Sequence, residues 1–200
     1  MKILIISHGR SGSTMLLYAL SDVLNLEKIV EPFNKNLWDN ADKFPNLPDK
    51  PNYQYGDIPN NTITKVITNQ NNDWIYNYAN QFDKIILIAR ESIKDAIESA
   101  QNALVYGYNK PYVPTEKITP FVMVDSASLY LTLFQIHESF SDIKKYKKIN
   151  SDLIWYNDIY KSYEVSKKTI QSLNLNISDD MFHKMWIHYF NPRHRLRMGS

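Results

Sequence analysis

Residues 2–7 (Lys-Ile-Leu-Ile-Ile-Ser) form a short, continuous apolar run that ends at a Gly/Ser cluster. That pattern predicts a strand buried on both faces, as in a parallel sheet. From Ser13 to Leu24 the spacing turns helical, with Met15, Leu16, Leu20, Val23 and Leu24 on one side. Asn25 closes that helix, and Ile29-Val30 predicts a brief extended piece leading to Glu31-Pro32-Phe33. Residues 34–61 are rich in Asn, Asp and Pro with weak periodicity, the pattern of a long loop of the kind that serves as a lid or binding loop. A second strand is expected over Ile63–Thr68, a helix over Asp73–Phe82, and the strongest strand over Lys84–Ala89. Ser92 is placed to cap a helix running to about Tyr106, which Gly107 stops.

A second loop rich in Pro and Tyr covers residues 108–120, followed by a predicted helix over Phe121–Phe140. A strand over Lys148–Trp155, helices over Ile159–Leu173 and Asp179–Phe190, and a tail bearing Arg193, Arg195 and Arg197 complete the chain. Strands alternating with helices imply an α/β fold with a central, largely parallel sheet, here as one domain over residues 1–200.

Composition narrows the chemistry. The formal net charge of +2 gives no whole-protein field that argues for nucleic acid or an anionic membrane, so an anion must be caught by a local cluster. The chain has no cysteine, which excludes disulfides, thiol catalysis and cysteine-ligated metals. Its five histidines (His8, His137, His183, His188, His194) show no metal-binding spacing, so no metal is expected. The apolar run Ile3–Ile6 is too short for a signal-peptide core or a membrane span, and a cytoplasmic protein is the expectation.

The segment His8-Gly9-Arg10-Ser11-Gly12-Ser13-Thr14 lies between the first strand and the first helix. Glycines there let backbone N–H groups converge on one point, and the helix N-terminus adds partial positive charge. Ser13 and Thr14 contribute hydroxyls, and Arg10 a fork of donors that fits phosphate or sulfate oxygens. The alternative is a glycine-rich turn that binds nothing. A phosphoryl-transfer loop would need lysine directly before its hydroxyl residue, whereas here Ser13 follows Gly12, which counts against a kinase.

Arg10-Ser11-Gly12-Ser13-Thr14-Met15-Leu16-Leu17 resembles the 5′-phosphosulfate loop of sulfotransferases that use 3′-phosphoadenosine 5′-phosphosulfate (PAPS). With arginine at the basic position it is closer to the carbohydrate and tyrosylprotein branches than to the cytosolic small-molecule branch. The resemblance implies a P-loop-type three-layer α/β/α fold, with Gly9, Arg10, Ser11, Gly12, Ser13 and Thr14 around the 5′-phosphosulfate. Leu87-Ile88-Ala89-Arg90 and the helix after it are similar to the family's 3′-phosphate site, which implies Arg90 and Ser99 as its ligands. The family's serine usually stands eight residues past the arginine; here that position is Glu98, and Ser99 stands at nine.

Glu31 matches the glutamate that serves as proposed base in the tyrosylprotein and trehalose-type branches. A carboxylate there can take the proton of an acceptor hydroxyl as it attacks sulfur, or it is an exposed loop glutamate beside a proline. The histidine of the cytosolic branch is replaced by Asn69 in Lys65-Val66-Ile67-Thr68-Asn69, which favours Glu31. Lys65 is either a donor to the transferring group or a strand-edge charge. Trp155-Tyr156-Asn157-Asp158-Ile159 resembles a structural segment of the family, and the basic tail resembles a region near the nucleotide. The expected activity is therefore sulfuryl transfer from PAPS to the hydroxyl of a small-molecule or glycan acceptor, carbohydrate favoured, leaving adenosine 3′,5′-bisphosphate. A P-loop nucleotide or small-molecule kinase and a non-catalytic nucleotide-binding module are the alternatives.

Overall fold

The computed structural model describes residues 1–34, 58–105, 126–143 and 145–191. Five strands, β1 (Lys2–Ser7), β2 (Glu27–Val30), β3 (Thr62–Ile67), β4 (Lys84–Ala89) and β5 (Asp152–Trp155), form one sheet in the order β2-β3-β1-β4-β5. Every pairing is parallel, with Ile5 opposite Lys65 on one side and Ile86 on the other. The central strand is fully buried from Ile3 to Ile6, as its unbroken apolar run predicts.

Alternate side chains of β1 feed two separate cores. Ile3 and Ile5 pack with Leu16, Leu20, Ile170 and Phe182, from helices α1 (Ser13–Leu24), α6 (Tyr163–Ser172) and α7 (Asp179–Met185). Leu4 and Ile6 pack on the opposite face with Trp74 and Ile75 of α2 (Asn72–Tyr78) and with Tyr146. Helices α3 (Ile93–Val105) and α4 (Ser126–Ile143) meet through Ala96, Ala100 and Ile136. The fold is thus the three-layer α/β architecture expected of the pattern.

The departures have local causes. The helix expected over Ile159–Leu173 is two pieces, because Ser162 adopts an extended backbone and accepts from the Val165 N–H, capping α6 and ending α5 (Tyr156–Tyr160). The last helix is α only to Met185 and continues as a π turn over Trp186–Phe190. The strand expected from Lys148 begins at Asp152, since Lys145–Lys148 is a 3₁₀ turn that buries Tyr146 and lets its hydroxyl donate to Asn72. Ser92 does cap α3, accepting from Asp95 N–H at 3.2 Å. Residues 35–57 of the loop expected over 34–61, the loop expected over 108–120, the start of the helix expected from Phe121, and the basic tail after Asn191 lie outside the described residues.

Candidate functional site

The C-terminal ends of β1, β2, β3 and β4 bring His8–Thr14, Glu31, Thr68 and Arg90 to one edge of the sheet. A ligand crevice is expected at this edge of an open parallel sheet, where consecutive connections leave in opposite directions. The loop after β1 is shaped by Gly12, whose φ of 81° starts α1 in the left-handed region. A Cβ at that position would lie 2.6 Å from Tyr160 Cε2 and 2.9 Å from Tyr156 Cδ2, so only glycine lets these rings close over the loop. The Tyr160 hydroxyl donates to the Gly12 carbonyl at 2.7 Å.

The remaining loop residues divide by what they touch. Ser7 donates to Ser13 Oγ at 2.9 Å, and Thr14 Oγ1 accepts from Lys65 Nζ at 2.8 Å. Ser11 is buried, and its hydroxyl has no hydrogen-bond partner among the described residues. A buried hydroxyl without a partner costs about 1–3 kcal/mol, and most buried polar groups in proteins are hydrogen-bonded. Gly9 is used by the fold instead. Its N–H donates to Ser139 Oγ at 3.3 Å and its carbonyl is 2.6 Å from His8 Nδ1, so its polar groups are already engaged.

Arg10 and Arg90 are brought together, as the spacing alone could not guarantee. Arg90 donates from Nε to the Arg10 carbonyl at 2.6 Å, and its guanidinium lies 3.9 Å over the Tyr156 ring. Crowding by protein atoms, and then the Arg90 charge, push Arg10 below its ordinary value, with Tyr156 acting in the opposite direction. Among the described residues neither guanidinium forms a salt bridge to a carboxylate. Beside Arg90 a cavity of about 120 Å³ opens between Phe140, Ile143, Leu153 and Trp155.

His8 couples the loop to β4. The Arg90 N–H donates to His8 Nε2 at 2.8 Å, which leaves the hydrogen on Nδ1 to donate to the Gly9 carbonyl. Burial, opposed by that bond and reinforced by the Arg90 charge, lowers His8 to about 4, so the ring is neutral near pH 7. His8 therefore ties the loop to the end of β4.

Glu31 is not an exposed loop residue. It is 9% exposed, directly follows β2 and has its carboxylate enclosed. Lys65 forms an ion pair with Oε1, while Asn34 Nδ2 and Gln70 Nε2 donate to Oε2 at 2.6 and 2.9 Å. Burial alone would raise this carboxyl; the Lys65 charge and the three hydrogen bonds outweigh it and hold the group below its ordinary value. Lys65 is likewise no edge charge, being 4% exposed in a central strand pair between Thr14 and Glu31.

Backbone strain marks the same two residues. Among the described residues six non-glycine positions have positive φ; four are asparagines, which tolerate the left-handed region, and the other two are Arg10 at 64° and Glu31 at 44°. Such conformations cost on the order of 1–3 kcal/mol and cluster at functional sites. Ser99 is not joined to this group. It stands half-buried on α3 with no described hydrogen bond to Arg90, while Glu98 is exposed and faces Lys94 at 3.7 Å.

Sequence reading underweighted Lys65, Gln70, Ser139 and the Tyr156/Tyr160 pair. The signal for Lys65 was present, since a lysine inside an apolar strand run needs a buried partner. The tyrosines stand one helical turn apart directly after β5. No family model, curated protein or solved structure matches the chain. Fold and site together define an α/β protein whose first strand, loop and helix surround two guanidiniums without described counter-ions. No described helix is long and apolar enough to cross a membrane.

Proposed function

We propose that the protein is a sulfotransferase that moves a sulfuryl group from PAPS to an acceptor hydroxyl, with carbohydrate the favoured acceptor class. The observation that carries this reading is the Arg10–Arg90 pair: the Arg90 guanidinium donates to the main-chain oxygen of Arg10, its charge acts on the Arg10 side chain, and neither has a carboxylate partner among the described residues. Like charges so placed repel one another, and an anionic ligand that spans both groups offsets that repulsion. A donor with a 5′-phosphosulfate and a separate 3′-phosphate supplies two anionic groups on one small molecule. Arg10, Ser11, Gly12, Ser13 and Thr14 would hold the first, Arg90 the second, and the cavity beside Arg90 offers room next to the nucleoside. Ser99 would join the 3′-phosphate by a change of rotamer or of the segment beside it.

In the proposed step the acceptor oxygen attacks sulfur and forms the new S–O bond. The bond from sulfur to the 5′-phosphate oxygen breaks, the acceptor proton passes to Glu31, and adenosine 3′,5′-bisphosphate leaves. Charge developing on the leaving oxygen is met by Arg10 and the α1 N-terminus, so positioning and electrostatics carry the catalysis without a metal. Lys65, 2.8 Å from Thr14 Oγ1, stands close enough to the loop to add a further positive charge.

The test is a thermal-shift comparison of adenosine 3′,5′-bisphosphate, ATP with magnesium, and ATP alone, followed by assay of sulfuryl transfer to a panel of sugars and phenols. Stabilisation by adenosine 3′,5′-bisphosphate without metal is expected, with Arg10→Ala lowering turnover about a hundredfold or more. Stabilisation by ATP with magnesium alone overturns the reading in favour of a kinase. Nucleotide binding with no transfer to any acceptor leaves a non-catalytic binding module.

A further inference from the structure

Held by Lys65, Asn34 and Gln70, Glu31 is a poor proton acceptor. Both carboxylate oxygens receive donors, and Gln70 cannot turn away, because its Oε1 accepts from the Ile67 N–H at 3.3 Å and so fixes its amide hydrogens on Glu31. Among the described residues the charged group facing Glu31 is Lys65 of β3; Asn34 and Gln70 are neutral amides. Lys65 is also what joins the carboxylate to the anion loop, through Thr14 Oγ1. Because Thr14 accepts from the ammonium, its own hydroxyl hydrogen remains available to an acceptor seated beside it. The order in space is therefore carboxylate, ammonium, hydroxyl, loop.

We propose that Lys65 is a positioning residue that couples occupation of the loop to the proton affinity of Glu31: an anion seated beside Thr14 draws on the ammonium and repels the carboxylate, making Glu31 a stronger base when the donor is in place. The proposal rests on the reading of the loop as an anion site. Both effects have the same sign, since negative charge added near a carboxylate favours its protonated form. Both act in a buried setting, where charges a few ångströms apart interact far more strongly than in water. The left-handed backbone of Glu31 and its main-chain bond to the Lys65 carbonyl at 2.9 Å hold the two residues in this relation. The base is thereby weak until it has something to do.

Linkage makes the idea measurable. If an anion raises the proton affinity of Glu31, a proton raises the affinity for the anion by the same factor. Inorganic sulfate is the probe, because it does not itself titrate between pH 5 and 7. Its dissociation constant would be measured calorimetrically at both pH values in the wild type, Glu31→Gln and Lys65→Gln. The wild type should bind sulfate about three- to tenfold more tightly at pH 5; Glu31→Gln should lose most of that gain, and Lys65→Gln, which leaves only direct repulsion between anion and carboxylate, should reduce it. The wild type alone, titrated at pH 5 in two buffers of unlike ionisation heat, should take up protons as sulfate binds, so the test survives a variant that does not fold. A gain that persists in Glu31→Gln, or binding without proton uptake, overturns the coupling and leaves the anion site intact. No sulfate binding at either pH overturns the anion-loop reading with it.

Discussion

Arg90 Nε donates to the main-chain oxygen of Arg10 at 2.6 Å across 80 residues of sequence, and this bond sets where the second guanidinium can reach. The Arg90 guanidinium also lies 3.9 Å over the Tyr156 ring, a second contact that restrains its position. Lysine would keep the charge and lose the fork, the Nε bond and the flat face. Arg90→Lys should therefore weaken binding of adenosine 3′,5′-bisphosphate about tenfold or more, the scale of one hydrogen bond to a charged group. Isothermal calorimetry decides it: an unchanged dissociation constant removes Arg90 from the site.

Gly12 is the residue that lets the two tyrosines close on the loop. With φ at 81° and ring carbons 2.6–2.9 Å from where a Cβ would stand, alanine there is strained in backbone and in contact. The left-handed cost alone is about 1–2 kcal/mol, and the steric overlap adds to it. Gly12→Ala should lower the melting temperature by about 3 °C or more, using roughly 2–4 °C per kcal/mol for a domain of this size. An unshifted melting curve would mean that Tyr156 and Tyr160 do not pack on the loop as described.

The sheet was legible because its central strands carry unbroken apolar runs, and Ile3–Ile6 and Ile85–Ala89 are buried as that pattern requires. Helix ends were legible where a cap residue announced them, as at Asn25 and Ser92. The break at Ser162 was not, because a polar residue within a helical period reads equally as surface or as cap until tertiary packing chooses. At the site, single residues with a motif around them were legible, and the contacts between distant segments were not. Nothing local in the sequence joins Lys65 to Glu31, Ser139 to Gly9, or Tyr160 to Gly12; these pairs exist because parallel strands bring their ends together.

Arg10 offers a separation of stability from function. Its φ of 64° is costly for any residue with a Cβ and nearly free for glycine. Arg10→Gly and Arg10→Ala should both weaken anion binding by similar factors, since both remove the guanidinium. The glycine variant should nevertheless be the more stable of the two by about 1 kcal/mol, after allowing for its greater freedom when unfolded. Denaturant midpoints read this difference directly. Equal midpoints would mean that the left-handed conformation at this position is not kept in solution.

Protonation of His8 should give the fold a recognisable acid limb. Its ordinary value of 6.5 falls to about 4 in the folded protein, chiefly through burial. The unfolded chain therefore takes up a proton between those values and the folded chain does not, so stability declines as pH drops from about 6.5 towards 4 and levels off below. The difference corresponds to about 3 kcal/mol, an order-of-magnitude figure at 1.36 kcal/mol per pH unit. Glu31 acts in a lower window: its depressed carboxyl contributes stability above its ordinary 4.5 that is lost as pH falls through the folded value. In His8→Gln the decline between pH 6.5 and 4.5 should flatten while the loss below 4.5 persists. Unfolding free energies from urea titrations at half-unit pH intervals would show this, and an unchanged slope above pH 4.5 in the variant would assign that limb to another group. His8→Gln also removes the imidazole that accepts the Arg90 N–H at Nε2, so affinity for adenosine 3′,5′-bisphosphate in the variant should fall even at pH 7, where a purely electrostatic role for the neutral ring predicts no change.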